Sequence, residues 1–177
     1  YAATGSEGAK AIQLALEQGY RMIDAAAYYE NESAVGQGIR ASGVPRAEII
    51  VTTKLWRDQL SYAQARESFE GSRQRLGLDY IDLYLIHWPA NAKNYDNWQA
   101  ANASTWRALE DLQSEGLVRS IGVSNFWPEH LEALAQTARV TPAVNQIEFH
   151  PGYWQPEVTN YCQSKGIVVE SWSPFAQ

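Results

Sequence analysis

Four residues in the first half of the chain carry the chemistry that this sequence offers: Asp24, Lys54, His87 and one of the adjacent tyrosines Tyr28 and Tyr29, between which strand alternation does not choose. Asp24 closes an apolar run, and the tyrosines follow within "MIDAAAYYENE". Lys54 and His87 stand near the ends of two later apolar runs, "IIVTTKLW" and "IDLYLIHWP". These are the materials of proton transfer. A phenol with an ordinary pKa of about 10 needs help to act as a general acid near neutrality. An ammonium beside it favours the phenolate and would lower that pKa, and a carboxylate on the ammonium would keep it charged in a partly dry pocket. A neutral imidazole can donate to a substrate oxygen and so orient a carbonyl. Protonating a carbonyl oxygen implies that something else attacks the carbon, and no serine or cysteine nucleophile stands among these groups. A hydride from a bound cofactor fits the gap.

Each residue also has a plainer reading. A buried Asp–Lys pair is more often structural than catalytic, and a strand-end histidine taken alone more often packs than reacts. Ser124 and Asn125, ahead of Pro128, suit a turn and a helix cap. Trp56, Trp88 and Trp172 suit a core as well as an aromatic pocket. Cys162 lies among helix residues, where packing accounts for it, and His150 in "FHP" reads as a strand-end or loop residue. The sequence has neither a His-x-x-x-His pair nor paired cysteines, which argues against a zinc site.

The elements that must position these side chains decide between the readings. Six strand-like runs alternate with six amphipathic helices. The strands are Met22 to Ala26, "IIVTTKLW", "IDLYLIHWP", "SIGVSNF", "AVNQIEF" and "IVVES". Helix signals stand between them. Gly19, Gly43 and Gly77 stop the first three helices, Ser61 with Gln64 has the form of a capping box, and Pro128 opens a later helix. Apolar strands joined by helices predict a parallel sheet covered on its outer face. A doubly wound sheet and a (β/α)8 TIM barrel both meet that description. No G-x-G-x-x-G follows the first strand, which weighs against the former. In each unit the unusual polar residues fall at the C-terminal end of the strand: Asp24 and Tyr29, Lys54, His87, Ser124 and Asn125, Gln146 and Glu148, then Ser171. A barrel collects these on one face.

Composition narrows the class. The net charge of −6 and a pI near 5.1 argue against a nucleic-acid partner. One cysteine excludes an internal disulfide and fits an intracellular, cytoplasmic setting. No apolar stretch approaches the roughly 20 residues of a membrane span, so no membrane partner is expected.

Five ordered motifs make the sequence strongly resemble the aldo-keto reductase family. "GYRMIDAAAYYENESAVG" is similar to that family's first signature, and "VTTKLW", "DLYLIHWP", "RSIGVSNF" and "AVNQIEFHP" follow in the family's order. The resemblance implies an NAD(P)H-dependent reductase of aldehydes and ketones, with a small-molecule carbonyl substrate. It makes Tyr29 the general acid, Lys54 and Asp24 its tuning pair, and His87 the residue that orients the carbonyl. Ser124, Asn125 and Gln146 would hold the nicotinamide carboxamide. Trp172, where tyrosine is commoner, would stack on the ring, as in the bacterial branch that includes 2,5-diketo-gluconate reductases. Tyr28, Trp56 and Trp88 would line the substrate pocket. NADPH is the implied cofactor, with NADH the other candidate, because the family's 2′-phosphate segment lies beyond Gln177.

There are departures from the pattern. Ala25 replaces a common threonine, and Met22 replaces His or Leu. Trp127 stands where a Ser or Thr cap is usual, which predicts a helix start weaker by about 1 kcal/mol. The expected architecture is one barrel domain over residues 1–177 with about six βα units. The family's first strand would precede Tyr1 or end on it, and its last would follow Gln177. A rival reading is a non-catalytic barrel that keeps the cofactor site as a sensor or regulatory subunit; tight NADPH binding without turnover would favour it. A weaker rival is a barrel lyase or hydrolase, which cofactor-independent activity would reveal.

Overall fold

A computed structural model describes residues 3–176 of the chain, so the expectation placed on Tyr1 lies outside the described residues. Helix α1 (Gly5–Glu17) leads into strand β1 (Met22–Asp24). Then come α2 (Glu32–Ser42), β2 (Ile50–Leu55), α3 (Tyr62–Leu76), β3 (Ile81–Ile86) and α4 (Trp98–Ser114). The chain continues through β4 (Val118–Ser124), α5 (Pro128–Ala135), β5 (Val144–Glu148), α6 (Pro156–Ser164) and β6 (Val168–Trp172). The six strands form one parallel sheet in the order β1-β2-β3-β4-β5-β6. Every strand lies beside its neighbour in sequence, so the order never reverses as it does in a doubly wound sheet. The sheet is a curled, partial α/β barrel with helices between successive strands.

The central apolar runs become strands because both of their faces are covered. Every residue of β3 is buried, as are Val51 to Leu55 of β2. Phe69 of α3 meets Tyr84 of β3 edge-on at 5.3 Å, and Trp106 of α4 is wholly inside. The helix stops are the expected ones, with Gly43 and Gly77 in the left-handed region at φ 68° and 65°. Ser61 makes half of its box: its Oγ accepts from the Gln64 N–H at 3.3 Å, while the Gln64 side chain turns back to the Ser61 hydroxyl. Trp127 supplies no oxygen to cap α5. His130, three residues on, offsets this by accepting the Trp127 N–H on Nδ1 at 3.1 Å.

Two buried carboxylates tie neighbouring elements together. Glu32 accepts from Thr53 Oγ1 at 2.5 Å and from Arg75 Nε at 2.7 Å, joining α2, β2 and α3. Asp82, near the start of β3, accepts from Arg46, Arg119 and the Val51 N–H. The Tyr80 ring lies between those two guanidiniums, each 4.2 Å from its centroid.

Candidate active site

Strand β1 is two residues shorter than its sequence suggests. Ala25 still donates to the Thr52 carbonyl, but the chain then turns through a single 3-10 turn at Ala27–Tyr29. Successive residues of such a turn point about 120° apart. Tyr28 therefore faces outward at 58% exposure, and Tyr29 turns in toward the ends of β2 and β3. Glu30 closes the turn with φ 53°.

The four expected residues converge there. Lys54 has no exposed surface. Its ammonium donates to both Asp24 carboxylate oxygens at 2.7 Å and to the Ala25 carbonyl at 3.0 Å. The Tyr29 hydroxyl stands 3.5 Å from Lys54 Nζ and 3.5 Å from His87 Nε2. The electrostatics differ from the sequence expectation in one respect. The net shift of the Tyr29 phenol is upward, to about 12, first by burial and then by the Asp24 charge. Asp24, in direct contact with Lys54, offsets the ammonium's field at the phenol, so desolvation wins. Burial also lowers the Lys54 pKa, while Asp24 and Glu170 oppose that shift. His87 is pushed down to about 3 by burial and by the Lys54 charge, and its buried Nδ1 has no hydrogen-bond partner among the described residues.

Beyond Tyr29 and His87 opens a cleft of about 670 Å³. Asn125, Gln146 and Trp172 line it with Trp88, and Glu148, Glu170 and Ser171 complete much of its polar wall. A chain of hydrogen bonds crosses from β3 to β6 along its floor. Trp172 Nε1 donates to Asn125 Oδ1 at 2.9 Å, and Asn125 Nδ2 donates to the His87 carbonyl at 3.0 Å and to Ser124 Oγ at 3.1 Å. The Ser124 hydroxyl donates to the Gln146 carbonyl at 2.7 Å. Gln146 Nε2 then donates to Glu170 Oε1 at 2.7 Å. Asn125 reaches these partners from φ 61°, a left-handed conformation that asparagine tolerates better than most side chains.

Tyr28 and Trp56 do not line this cleft. Their rings stack on each other at 3.8 Å, and Trp56 meets the His87 ring edge-on at 5.1 Å. Cys162 and His150 keep the plain readings: Cys162 is fully buried, and His150 bridges to Tyr153 after β5. Sequence reasoning missed Glu170. Its signal was available, since a carboxylate inside the apolar run "IVVES" is the same anomaly as Asp24 in "MIDAA".

Comparison with known proteins agrees with this architecture. Residues 3–177 match the Aldo/keto reductase family. The chain is 48% identical over 173 residues to glyoxal reductase of Bacillus subtilis, covering 98% of this chain and 60% of that protein. It is 47% identical over 177 residues to 2,5-diketo-D-gluconic acid reductase B of a Corynebacterium, covering 100% and 62%. Among solved structures, an aldo/keto reductase from Brucella melitensis superimposes with a TM-score of 0.92 at 43% identity, over 99% of this chain and 66% of that one. A Bombyx mori aldo-keto reductase in complex with NADP does so at 0.87 and 43%, over 95% and 56%. The chain thus spans about three fifths of the length of the curated relatives it matches.

Proposed function

Because the chain belongs to the aldo/keto reductase family, we propose that the protein carrying it reduces small aldehydes and ketones to alcohols, with NADPH as the reductant. One observation carries the assignment of the acid. The Tyr29 hydroxyl stands 3.5 Å from both the Lys54 ammonium and the His87 imidazole, at the edge of the cleft. NADPH, when bound, supplies the hydride that the carbonyl carbon receives. The cleft's residues fit a nicotinamide: Gln146 offers an amide oxygen and Trp172 an indole face, with Asn125 beside them and Ser124 buried directly behind, bonded to Asn125 and to the Gln146 carbonyl. These four would hold the ring and its carboxamide.

The protein's own part is proton delivery. Tyr29, raised to about 12, stays protonated at neutral pH and gives its proton to the oxygen of the reduced carbonyl, a stronger base than a phenolate. Lys54 is then a positive charge 3.5 Å from the phenolate left behind, and Asp24 keeps that ammonium charged against the pull of burial. Neutral His87 donates to the same carbonyl oxygen and so points it at Tyr29. Trp88 forms the wall on which the substrate's apolar part rests. Phenylalanine at Tyr29 keeps the ring and removes the proton. In the whole protein, Tyr29→Phe is expected to cut aldehyde-dependent NADPH oxidation by at least about a hundredfold while leaving NADPH binding in place. Unchanged turnover would overturn the assignment of the acid.

A further inference from the structure

Two cleft carboxylates are not used by the proton-transfer chemistry: Glu148, which turns to His150 at 3.5 Å, and Glu170, which turns to Gln146. The second is the one bonded to a residue of the nicotinamide reading. It lies at the register position beside Gln146, so the two side chains share the inner face of β5 and β6. Burial is unfavourable for its charged form and Asp24 adds repulsion, opposed by the Gln146 hydrogen bond and the Lys54 charge. An inward position held for packing alone would be filled at lower cost by an apolar side chain. The group that Glu170 contacts directly is the Gln146 amide, and its carboxylate can only accept. That contact therefore forces Nε2 toward Glu170 and turns Oε1 away from it. Gln146 is 3% exposed and lines the cleft, and its Oε1 accepts no hydrogen bond among the described residues. Asn125, by contrast, has both ends of its amide committed, to Trp172 on one side and to His87 and Ser124 on the other.

We infer that Glu170 is a positioning residue that locks the Gln146 amide with its oxygen toward the cleft, so that the site selects a ligand carrying a primary carboxamide N–H at that point. This rests on the nicotinamide reading of the cleft and deepens it. Recognition then depends on the direction of a hydrogen bond as well as on shape. A ligand in which a ketone replaces the carboxamide has the right outline but offers no donor.

Glu170→Gln tests it in the whole protein. A glutamine at 170 can donate as well as accept, so the Gln146 amide becomes free to turn over. Affinities for NADP+ and for its 3-acetylpyridine analogue, measured by calorimetry, give the answer without turnover. The wild type is expected to prefer NADP+. Glu170→Gln should weaken NADP+ roughly tenfold and leave the analogue unchanged or tighter, so that the preference collapses. Glu170→Asp, still an acceptor only, should keep the preference even where overall affinity falls. Equal weakening of both ligands, or no weakening of either, would overturn the inference and leave Glu170 a packing residue. Failure of the wild type to bind either dinucleotide is a different result, which would remove the nicotinamide reading itself.

Discussion

His87 shows what burial does to a single side chain in this site. Its imidazole is pushed down to about 3, so it is neutral throughout the pH range in which an enzyme ordinarily works. The sign of the consequence follows from linkage. Below its ordinary value of about 6.5 the unfolded histidine binds a proton that the folded one refuses, so stability falls as pH drops from 6.5 toward 3. His87→Asn, which cannot titrate, should flatten part of that fall. The gap between wild-type and variant urea midpoints should therefore narrow as pH goes from 7 to 4, and a constant gap would contradict the shift. The types and places of Asp24, Lys54 and His87 could be read without coordinates, because each interrupts an apolar run with a group that needs a partner. The direction of the Tyr29 shift could not. It depends first on how deeply the phenol is buried and then on how Asp24 is placed against Lys54, and no sequence carries either. Tyr28 against Tyr29 was undecided by strand alternation for a related reason: the chain leaves the sheet after Asp24, and the 3-10 turn sets the two rings apart.

At the scale of elements, the central strands were legible because burial on both faces writes them as continuous apolar runs, and helix ends were legible where glycine or proline marks them. The start of α5 was only half legible. Trp127 lacks a capping oxygen, and its replacement is a histidine that reads as an ordinary helix residue until its Nδ1 is placed on the Trp127 N–H. Gly122 is an element-scale feature with a sharp consequence. A Cβ there would sit 2.7 Å from the Val144 carbonyl oxygen and 2.8 Å from Leu85 Cδ2. The carbonyl belongs to β5, whose pairing with β4 joins Val123 to Asn145 and Ser124 to Gln146. Gly122→Ala should therefore destabilise the protein by about 1–3 kcal/mol, seen as a Tm lower by several degrees. Spreading β4 from β5 should also weaken NADPH binding, because Ser124 and Gln146 ride on those two strands. A variant with the wild-type Tm would show that the sheet yields more easily than this close approach implies.

Across the whole molecule the two ends of the sheet divide the labour. The N-terminal ends of β2, β3 and β4 gather round Asp82, Arg46, Arg119 and Tyr80, which pair with one another and with nearby backbone. The C-terminal ends gather groups left facing a cleft. Barrels separate stability from chemistry in this way, and the strand-end polar residues foretold it. Lys54 sits at the centre of the second arrangement, and its complete burial has a consequence for chemical labelling. Lys10, Lys93 and Lys165 are exposed, so an amine-reactive reagent in brief pulses should acylate those three in the native protein and spare Lys54. Labelling of Lys54 needs β2 to separate from its neighbours, or Asp24 to release the ammonium. Its rate, read by peptide mass spectrometry, would clock how often the sheet opens, and a ligand that seals the cleft should slow that clock. Lys54 labelled as fast as Lys10 would mean that the pocket breathes far more than its close-packed strands suggest.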